Sequence, residues 1–161
     1  MVVEQFPKGA LRRYGSAVDP EAPAAALAGA PDLEAACRIA VAALADEGDL
    51  AVAAYVGRAG RLRCLAAAGT SHVLDGVSAI VGPVGRAAAA GAEQRTLGPD
   101  GAETASLPLI HDGAVVGVLS VEAAAALNGD QLATARAIST ALAERIADLG
   151  GPPAEGSASR L

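Results

Sequence analysis

The side chains that could perform chemistry are few in this sequence and do not form a catalytic pattern. The two histidines, His72 and His111, and the two cysteines, Cys37 and Cys64, lie in separate segments and match no metal-ligand spacing. No Gly-x-Ser-x-Gly elbow, His-Glu-x-x-His pair or supported Cys–His couple is present. The residues therefore predict no catalytic centre and no metal site, and the thiols are expected to be buried, small apolar groups in a reducing cytosol.

One segment has the residue types of an anion-binding loop. Residues 82–86 read Gly-Pro-Val-Gly-Arg, and a helix N-terminus followed by an arginine can hold a phosphate. The spacing fits neither a Walker A loop nor a dinucleotide fingerprint, so a backbone turn before a short helix is the better interpretation. A solvated loop position is the simpler interpretation of His72. If the fold forms a polar ligand pocket, we expect it to be lined by Tyr55, His72, Arg86, Arg95, Thr96 and Ser106.

Composition excludes several partners. The net charge is -6 and no basic cluster is longer than Arg12-Arg13, so a phosphate backbone would be repelled. Aromatic residues make up only 2%, too few for the stacking platforms of a single-strand binder. No apolar run reaches the roughly 18 residues of a membrane span. Because residues 1–13 also lack a signal-peptide core, we expect a cytoplasmic protein that contacts neither membrane nor nucleic acid.

Helical periodicity marks both ends of the predicted domain. The first helix is expected over residues 31–47, with Pro31 at its first position and Gly48 after its end. A capping box that starts at Asn128 opens the last helix, and its apolar stripe continues to Leu149. An apolar stripe of this length can cover a sheet along most of the helix, and its remaining part can form an interface with another helix.

Two hairpins are predicted between these helices. The strand over Leu50–Val56 is apolar on both faces and is expected to be covered on both sides. Its partner over residues 61–68 carries arginines on one face, with Leu62, Cys64 and Ala66 on the other, and is expected nearer an edge.

The second hairpin is predicted over residues 106–110 and 114–122, with a tight turn at Asp112-Gly113. In its second strand, Val115 is expected on the face that also carries Leu119 and Val121. A glycine-punctuated excursion over residues 69–101 separates the hairpins. It is expected to contain a short helix over residues 83–90 and a brief strand over residues 93–97.

This order of elements predicts an α+β fold. We expect a central, mostly antiparallel sheet of five to six strands, with the N- and C-terminal helices on one face and the excursion on the other. Three passages resemble the GAF domain: Leu50–Gly69, Gly82–Gly91, and Ser106–Ala123 with the helix that follows. The PAS domain is the nearest alternative. The resemblance covers residues 31–149, while 1–30 are expected to be a flexible Ala/Pro-rich arm and 150–161 a disordered tail.

The resemblance implies a non-catalytic sensory or regulatory domain in signal transduction or transcriptional regulation. Such domains hold a small molecule between sheet and excursion, form homodimers through their terminal helices, and act on a signalling partner protein. The implied dimer interface here comprises Leu33, Cys37, Leu142, Ile146 and Leu149. The cyclic-nucleotide and bilin signatures of the family are absent, so no cofactor is predicted.

Two alternatives stay open at this point. One is a small redox enzyme of the free-methionine sulfoxide reductase type. That activity uses cysteines in the excursion, and residues 69–101 contain none. The other is a fragment of a larger regulator whose nucleic-acid-binding output is missing.

Overall fold

The protein is described by a computed structural model that covers residues 21–46, 50–58, 60–69, 82–98 and 101–152. No helix in these ranges is long and apolar enough to cross a membrane. In chain order the described elements are α1 (Glu21–Ala28), α2 (Leu33–Ala45), β1 (Leu50–Val56), β2 (Arg63–Ala68), α3 (Pro83–Ala90), β3 (Gln94–Leu97), β4 (Glu103–His111), β5 (Ala114–Ala123) and α4 (Gly129–Asp148).

The five strands form one sheet in the order β2-β1-β5-β4-β3, and every neighbouring pair is antiparallel. The helices α2 and α4 pack on one face of this sheet, with α1 packed against both of them, and α3 packs on the other face. We call these the helix face and the α3 face. All seven residues of β1 are buried, as their apolar character on both faces predicts, and β2 lies at an edge. The predicted α+β architecture is therefore confirmed.

The helix ends are set by side-chain caps. The Asn128 side chain accepts the Gln131 N–H at 2.7 Å, and the Gln131 side chain accepts the Asn128 N–H at 3.0 Å, so the predicted capping box is present. The Asp32 carboxylate caps α2 by accepting the Ala35 N–H at 2.8 Å. Pro31 therefore precedes the cap and does not occupy the first helical position. The C-cap of α2 is Asp46, and the predicted Gly48 lies outside the described residues.

The N-terminal boundary of the packed domain lies earlier than the sequence predicts. Residues 21–30 were expected in a flexible arm, but 21–28 form α1, and Leu27 is fully buried against α2 and α4. The guanidinium of Arg145 donates through Nε and Nη2 to the Ala30 carbonyl, at 3.1 and 2.5 Å, and so ties the α1–α2 connection to α4. Pro23 and Ala30 are buried as well. The rest of the predicted arm, residues 1–20, lies outside the described residues, as do 153–161 of the predicted tail.

A register shift in the β1–β2 pair changes which face the residues of β2 occupy. Tyr55 lies opposite Cys64, but Ala54 lies opposite Ala66, so Leu65 is an extra residue on β2. Because side chains alternate along a strand, one extra residue reverses the phase. Cys64 consequently packs on the α3 face and Ala66 on the helix face. The prediction that these two residues share a face was wrong.

The β4–β5 hairpin contains a second shift. Leu109 lies opposite Gly117, and Ile110 lies opposite Val115, which leaves Val116 as the extra residue. Val115 therefore packs on the α3 face, not with Leu119 as expected. The predicted tight turn is present: Asp112 and Gly113 have φ of 53° and 79°, the left-handed pair that a two-residue hairpin turn of type I′ requires.

Candidate functional site

The α3 face is positioned by a short helix with clear end signals. Gly82 precedes α3, Pro83 opens it with a preset φ, and Gly91 ends it in the left-handed conformation at φ 63°. These are the limits that the sequence predicts. Val84, Ala87 and Ala88 are the buried side chains that α3 presents to the sheet, and their small size brings the helix close to β3, β4 and β5.

A row of polar side chains crosses the α3 face. Ser120, Ser106 and Gln94 lie directly opposite one another on β5, β4 and β3, and directly opposite residues point to the same side of a sheet. Val118, two positions from Ser120, packs against α3 and so identifies the side. Thr96 belongs to the adjacent row on this face and is exposed. Strand register thus brings Ser106 and Thr96, two of the predicted ligand residues, to one surface.

Ser106 is the most unusual member of this row. The residue has no exposed surface, and among the described residues its Oγ has no hydrogen-bond partner. A buried hydroxyl without a partner costs about 1–3 kcal/mol, so most such groups in folded proteins are hydrogen-bonded. Ser106 is thus a polar group on the α3 face with unused hydrogen-bonding capacity.

Tyr55 stands beside the polar row. It lies opposite Val118 on the α3 face, is 5% exposed, and packs with Leu62 and Val84. Burial raises the pKa of its phenol above the ordinary value of 10.0, and the neighbouring Cys64 raises it further. The phenol is therefore a neutral hydrogen-bonding group at physiological pH. A buried tyrosine beside a polar row can supply both apolar contact and a hydroxyl to a bound molecule.

The remaining predicted ligand residues do not join this group. Arg86 is on α3 itself and is exposed, while His72 lies outside the described residues. Arg95 was expected in the same pocket, but it lies opposite Ala105, a helix-face residue, so strand alternation directs it to the other side of the sheet. Its inclusion with Tyr55 and Ser106 was therefore wrong.

On the helix face, Arg95 is held by a buried carboxylate that the sequence analysis missed. Glu103 is 6% exposed and accepts hydrogen bonds from Arg95 Nε and from the Leu127 N–H, both at 2.8 Å. The bond from Leu127 and the bond from Arg95 lower the pKa of Glu103 below its usual range. This carboxylate connects the β3 edge to the segment that enters α4. Glu103 is two and four positions before Ala105 and Leu107, so alternation along β4 places all three side chains on the helix face. This alternation is the sequence signal that could have identified Glu103 as buried.

The two thiols have little nucleophilic character. Cys37 is fully buried on the helix face, and burial raises its pKa from 9.0 to about 12. Cys64 is half-buried on the α3 face, where burial also raises its pKa, and its Sγ lies 3.4 Å from the Ala66 carbonyl oxygen. A thiol reacts as the thiolate, which both environments disfavour.

The residues expected at a dimer interface are mostly inside one chain. Cys37, Leu142 and Ile146 have no exposed surface and belong to the helix-face core, while Leu33 and Leu149 are half-buried. Part of the surface expected to meet a second chain is covered by α1. The three fully buried side chains are therefore not available for an interface in this conformation.

No protein-family model matches the chain, and no curated protein matches it. Solved structures do resemble it. The GAF domain of a phosphoenolpyruvate-protein phosphotransferase from Acinetobacter is similar at 16% identity and a TM-score of 0.64, over 80% of this chain and 90% of that chain. A putative GAF sensor protein from Burkholderia vietnamiensis has 19% identity and a TM-score of 0.65, over 78% and 84%.

A free methionine-R-sulfoxide reductase from Neisseria meningitidis, solved in complex with its substrate, is also similar. It has 15% identity and a TM-score of 0.66, over 84% of this chain and 95% of that chain. At such identities the likeness concerns the fold, which sensors and enzymes share. With its five-stranded antiparallel sheet, terminal helices on one face and short helix on the other, this chain has a GAF-like fold.

Proposed function

We propose that this chain is a non-catalytic regulatory domain that binds a small molecule on its α3 face. The observation that carries the proposal is the Ser106 hydroxyl, which is fully buried without a partner in the middle of a polar row. A ligand that hydrogen-bonds this hydroxyl recovers the free energy that its burial costs. Ligand sites are mainly apolar with a few placed polar groups, which is the composition that Tyr55 and the row provide.

The chemistry of the α3 face favours an uncharged, hydrogen-bonding ligand. Ser120, Ser106 and Gln94 offer hydroxyl and amide groups that both donate and accept hydrogen bonds. Of the two arginines expected at the ligand site, Arg95 points to the helix face and Arg86 is exposed on α3. The similar protein from Burkholderia vietnamiensis is described as a putative sensor, which agrees with a binding role.

A reductase is the competing function because two of the similar structures are free methionine-R-sulfoxide reductases. The chain's two cysteines argue against it. Burial raises the pKa of both thiols, and they pack on opposite faces of the sheet, so neither is an activated nucleophile and they do not form a pair within one pocket. NADPH-coupled reduction of free methionine sulfoxide that disappears in a Cys64→Ser variant would establish the enzyme and refute the proposal.

The binding proposal is tested by two measurements. Native mass spectrometry of protein purified from cells reports a retained small molecule, and thermal-shift screening then uses nucleosides and nucleobases, which are uncharged and form hydrogen bonds, as probes. Ser106→Ala is expected to weaken binding of any probe found about tenfold, the effect of one to two kcal/mol of lost hydrogen bonding. Ser139→Ala, which also removes a buried unpartnered hydroxyl but on α4, is the matched control and leaves that binding unchanged. A ligand bound equally by both variants would refute the assignment to the α3 face.

We also propose that the chain forms a homodimer through its terminal helices and acts on a signalling partner protein. The support is the number of small and half-buried apolar residues on the outer sides of α2 and α4, Leu33 and Leu149 among them. Multi-angle light scattering tests the dimer. A monomeric mass at high micromolar concentration would exclude it.

A further inference from the structure

A cleft opens at the β3 edge of the sheet, where the edge strand ends early. Strand β3 pairs with β4 only from Glu103 to Ser106, so among the described strands the outer edge of β4 beyond Ser106 has no neighbour. The connection from α3 to β3 lies on one side of this edge and α4 on the other. Between them is a cavity of about 330 Å³, which we call the edge cleft.

The floor and the walls of the edge cleft differ in chemistry. The floor is the apolar edge of β4: Leu107 lines it from the helix face, while Pro108 and Ile110, which lie opposite Val118 and Val115, line it from the α3 face. Ile110 is 44% exposed although large and apolar. Ser139 of α4 and the side chains of Arg136 and Glu93 give polar walls.

Ser139 has the feature that points to a ligand. The residue is 7% exposed, it lines the cleft, and its Oγ has no hydrogen-bond partner among the described residues. A serine hydroxyl within a helix commonly bonds the carbonyl four residues earlier, as the Thr140 hydroxyl does with Arg136 at 3.1 Å. Ser139 makes no such bond, so its hydroxyl is free to bond a molecule in the cleft.

The charges of Arg136 and Glu93 in the wall determine which kind of ligand the edge cleft can bind. Arg136 donates from Nε to Glu93 Oε1 and from Nη2 to Glu93 Oε2, both at 3.0 Å. This uses two of the five guanidinium N–H groups, and a carboxylate accepts more than two hydrogen bonds. The two charges cancel, so a ligand with one net charge gains from one partner and is repelled by the other. A ligand that carries both charges complements both.

We infer that the edge cleft binds a small zwitterion with an apolar tail, of which a free aliphatic amino acid is the simplest example. Its carboxylate accepts from the remaining N–H groups of Arg136 and from the Ser139 hydroxyl, and its ammonium donates to Glu93. The tail packs on Leu107, which lies on the same side of β4 as α4. The volume is at the lower end of the range of about 300–1,000 Å³ found for ligand pockets, which suits a ligand of this size. This site lies at the sheet edge against α4, and none of its lining residues belongs to the polar row on which the proposed α3-face function rests.

The charge requirement is tested with L-leucine and two analogues that each lack one charge. Isothermal titration calorimetry of the whole chain measures L-leucine, 4-methylpentanoate, which lacks the ammonium, and 3-methylbutylamine, which lacks the carboxylate. L-leucine is expected to bind, and each analogue about tenfold more weakly, because a hydrogen bond to a charged group is lost. Absence of L-leucine binding at millimolar concentration, or equal binding of all three compounds, would overturn the inference.

Variants then locate the site. Ser139→Ala and Arg136→Gln are expected to weaken L-leucine binding about tenfold, whereas Ser106→Ala on the α3 face leaves it unchanged. Arg38→Gln, which removes an exposed helical arginine paired with Glu34, is the control for Arg136. Circular dichroism verifies folding, and Glu93→Gln replaces Arg136→Gln if that variant is unfolded. L-leucine binding that Ser139→Ala leaves intact and Ser106→Ala abolishes would reject the edge cleft and support the α3 face.

Discussion

Replacing Ser106 by alanine is expected to stabilise the ligand-free protein. The Ser106 hydroxyl is fully buried without a partner, and such a group costs about 1–3 kcal/mol. Alanine keeps the Cβ and removes only the oxygen, so part of this gain is offset by lost packing contacts of one atom. A net gain of about 1 kcal/mol remains. For a chain of 161 residues this raises Tm by about 2–4 °C.

Urea unfolding followed by circular dichroism measures this gain. The midpoint is expected to increase at constant m, which identifies a change of stability and not of the unfolded state. Thr140→Val is the control, because the Thr140 hydroxyl is exposed and bonded to the Arg136 carbonyl. Its removal gives no gain. If Ser106→Ala lowers the free energy of unfolding by 1 kcal/mol or more, on the scale of one lost hydrogen bond, the hydroxyl has a partner in the free protein and the reasoning is refuted.

Three further outcomes follow from the packing, the carboxylate and the thiols. Gly117→Ala puts a Cβ 2.2 Å from a backbone oxygen of β1 and is expected to lower the free energy of unfolding in urea by about 1–3 kcal/mol or more. Gly129→Ala is the control, because its added Cβ has nothing within 4 Å and costs no stability. Equal effects of the two substitutions would contradict the close approach of β5 to β1 at Gly117. The pKa of Glu103 is lower in the folded protein than its ordinary value of 4.5. The ionised Glu103 carboxylate therefore contributes its full share to the free energy of unfolding above pH 4.5, and this contribution is lost as the pH falls through the lower folded-state pKa. Thermal unfolding between pH 3 and 7 (about the range that spans both forms) is expected to show a shallower acid loss in Glu103→Gln, and an unchanged profile would count against the bonds to this carboxylate. In alkylation followed by mass spectrometry at about pH 8, somewhat below the pKa of a free thiol, Cys64 is expected to react slowly and Cys37 more slowly still. Rapid labelling of Cys37 would disprove its burial.

The sequence predicted the elements well where local signals are strong. Pro83 and Gly91 mark the ends of α3, Asn128 begins α4, and the Asp112-Gly113 pair forms the hairpin turn, each by chemistry that operates within a few residues. The apolar residues on both faces of β1 correctly indicated a strand covered on both sides. These features depend on backbone conformation and capping, which neighbouring residues determine.

The site was harder to predict because it depends on strand register. The extra residues Leu65 and Val116 reverse the side-chain phase of β2 and β5, and no local signal in the sequence marks either bulge. Arg95 and Thr96 were both expected at the ligand site, yet adjacent residues of a strand face opposite sides. Ser139 lies on the buried side of α4, but only the three-dimensional structure shows that its hydroxyl has no hydrogen-bond partner among the described residues.

The aromatic content of the chain gives Tyr55 a further use. The sequence contains no tryptophan and only two tyrosines, Tyr14 and Tyr55, so a Tyr14→Phe variant leaves one fluorescent side chain. That side chain lies on the α3 face, beside the row of Ser106. Its emission therefore reports on occupancy of the α3 face. The protein thus carries an intrinsic optical reporter of its α3 face, which needs no label.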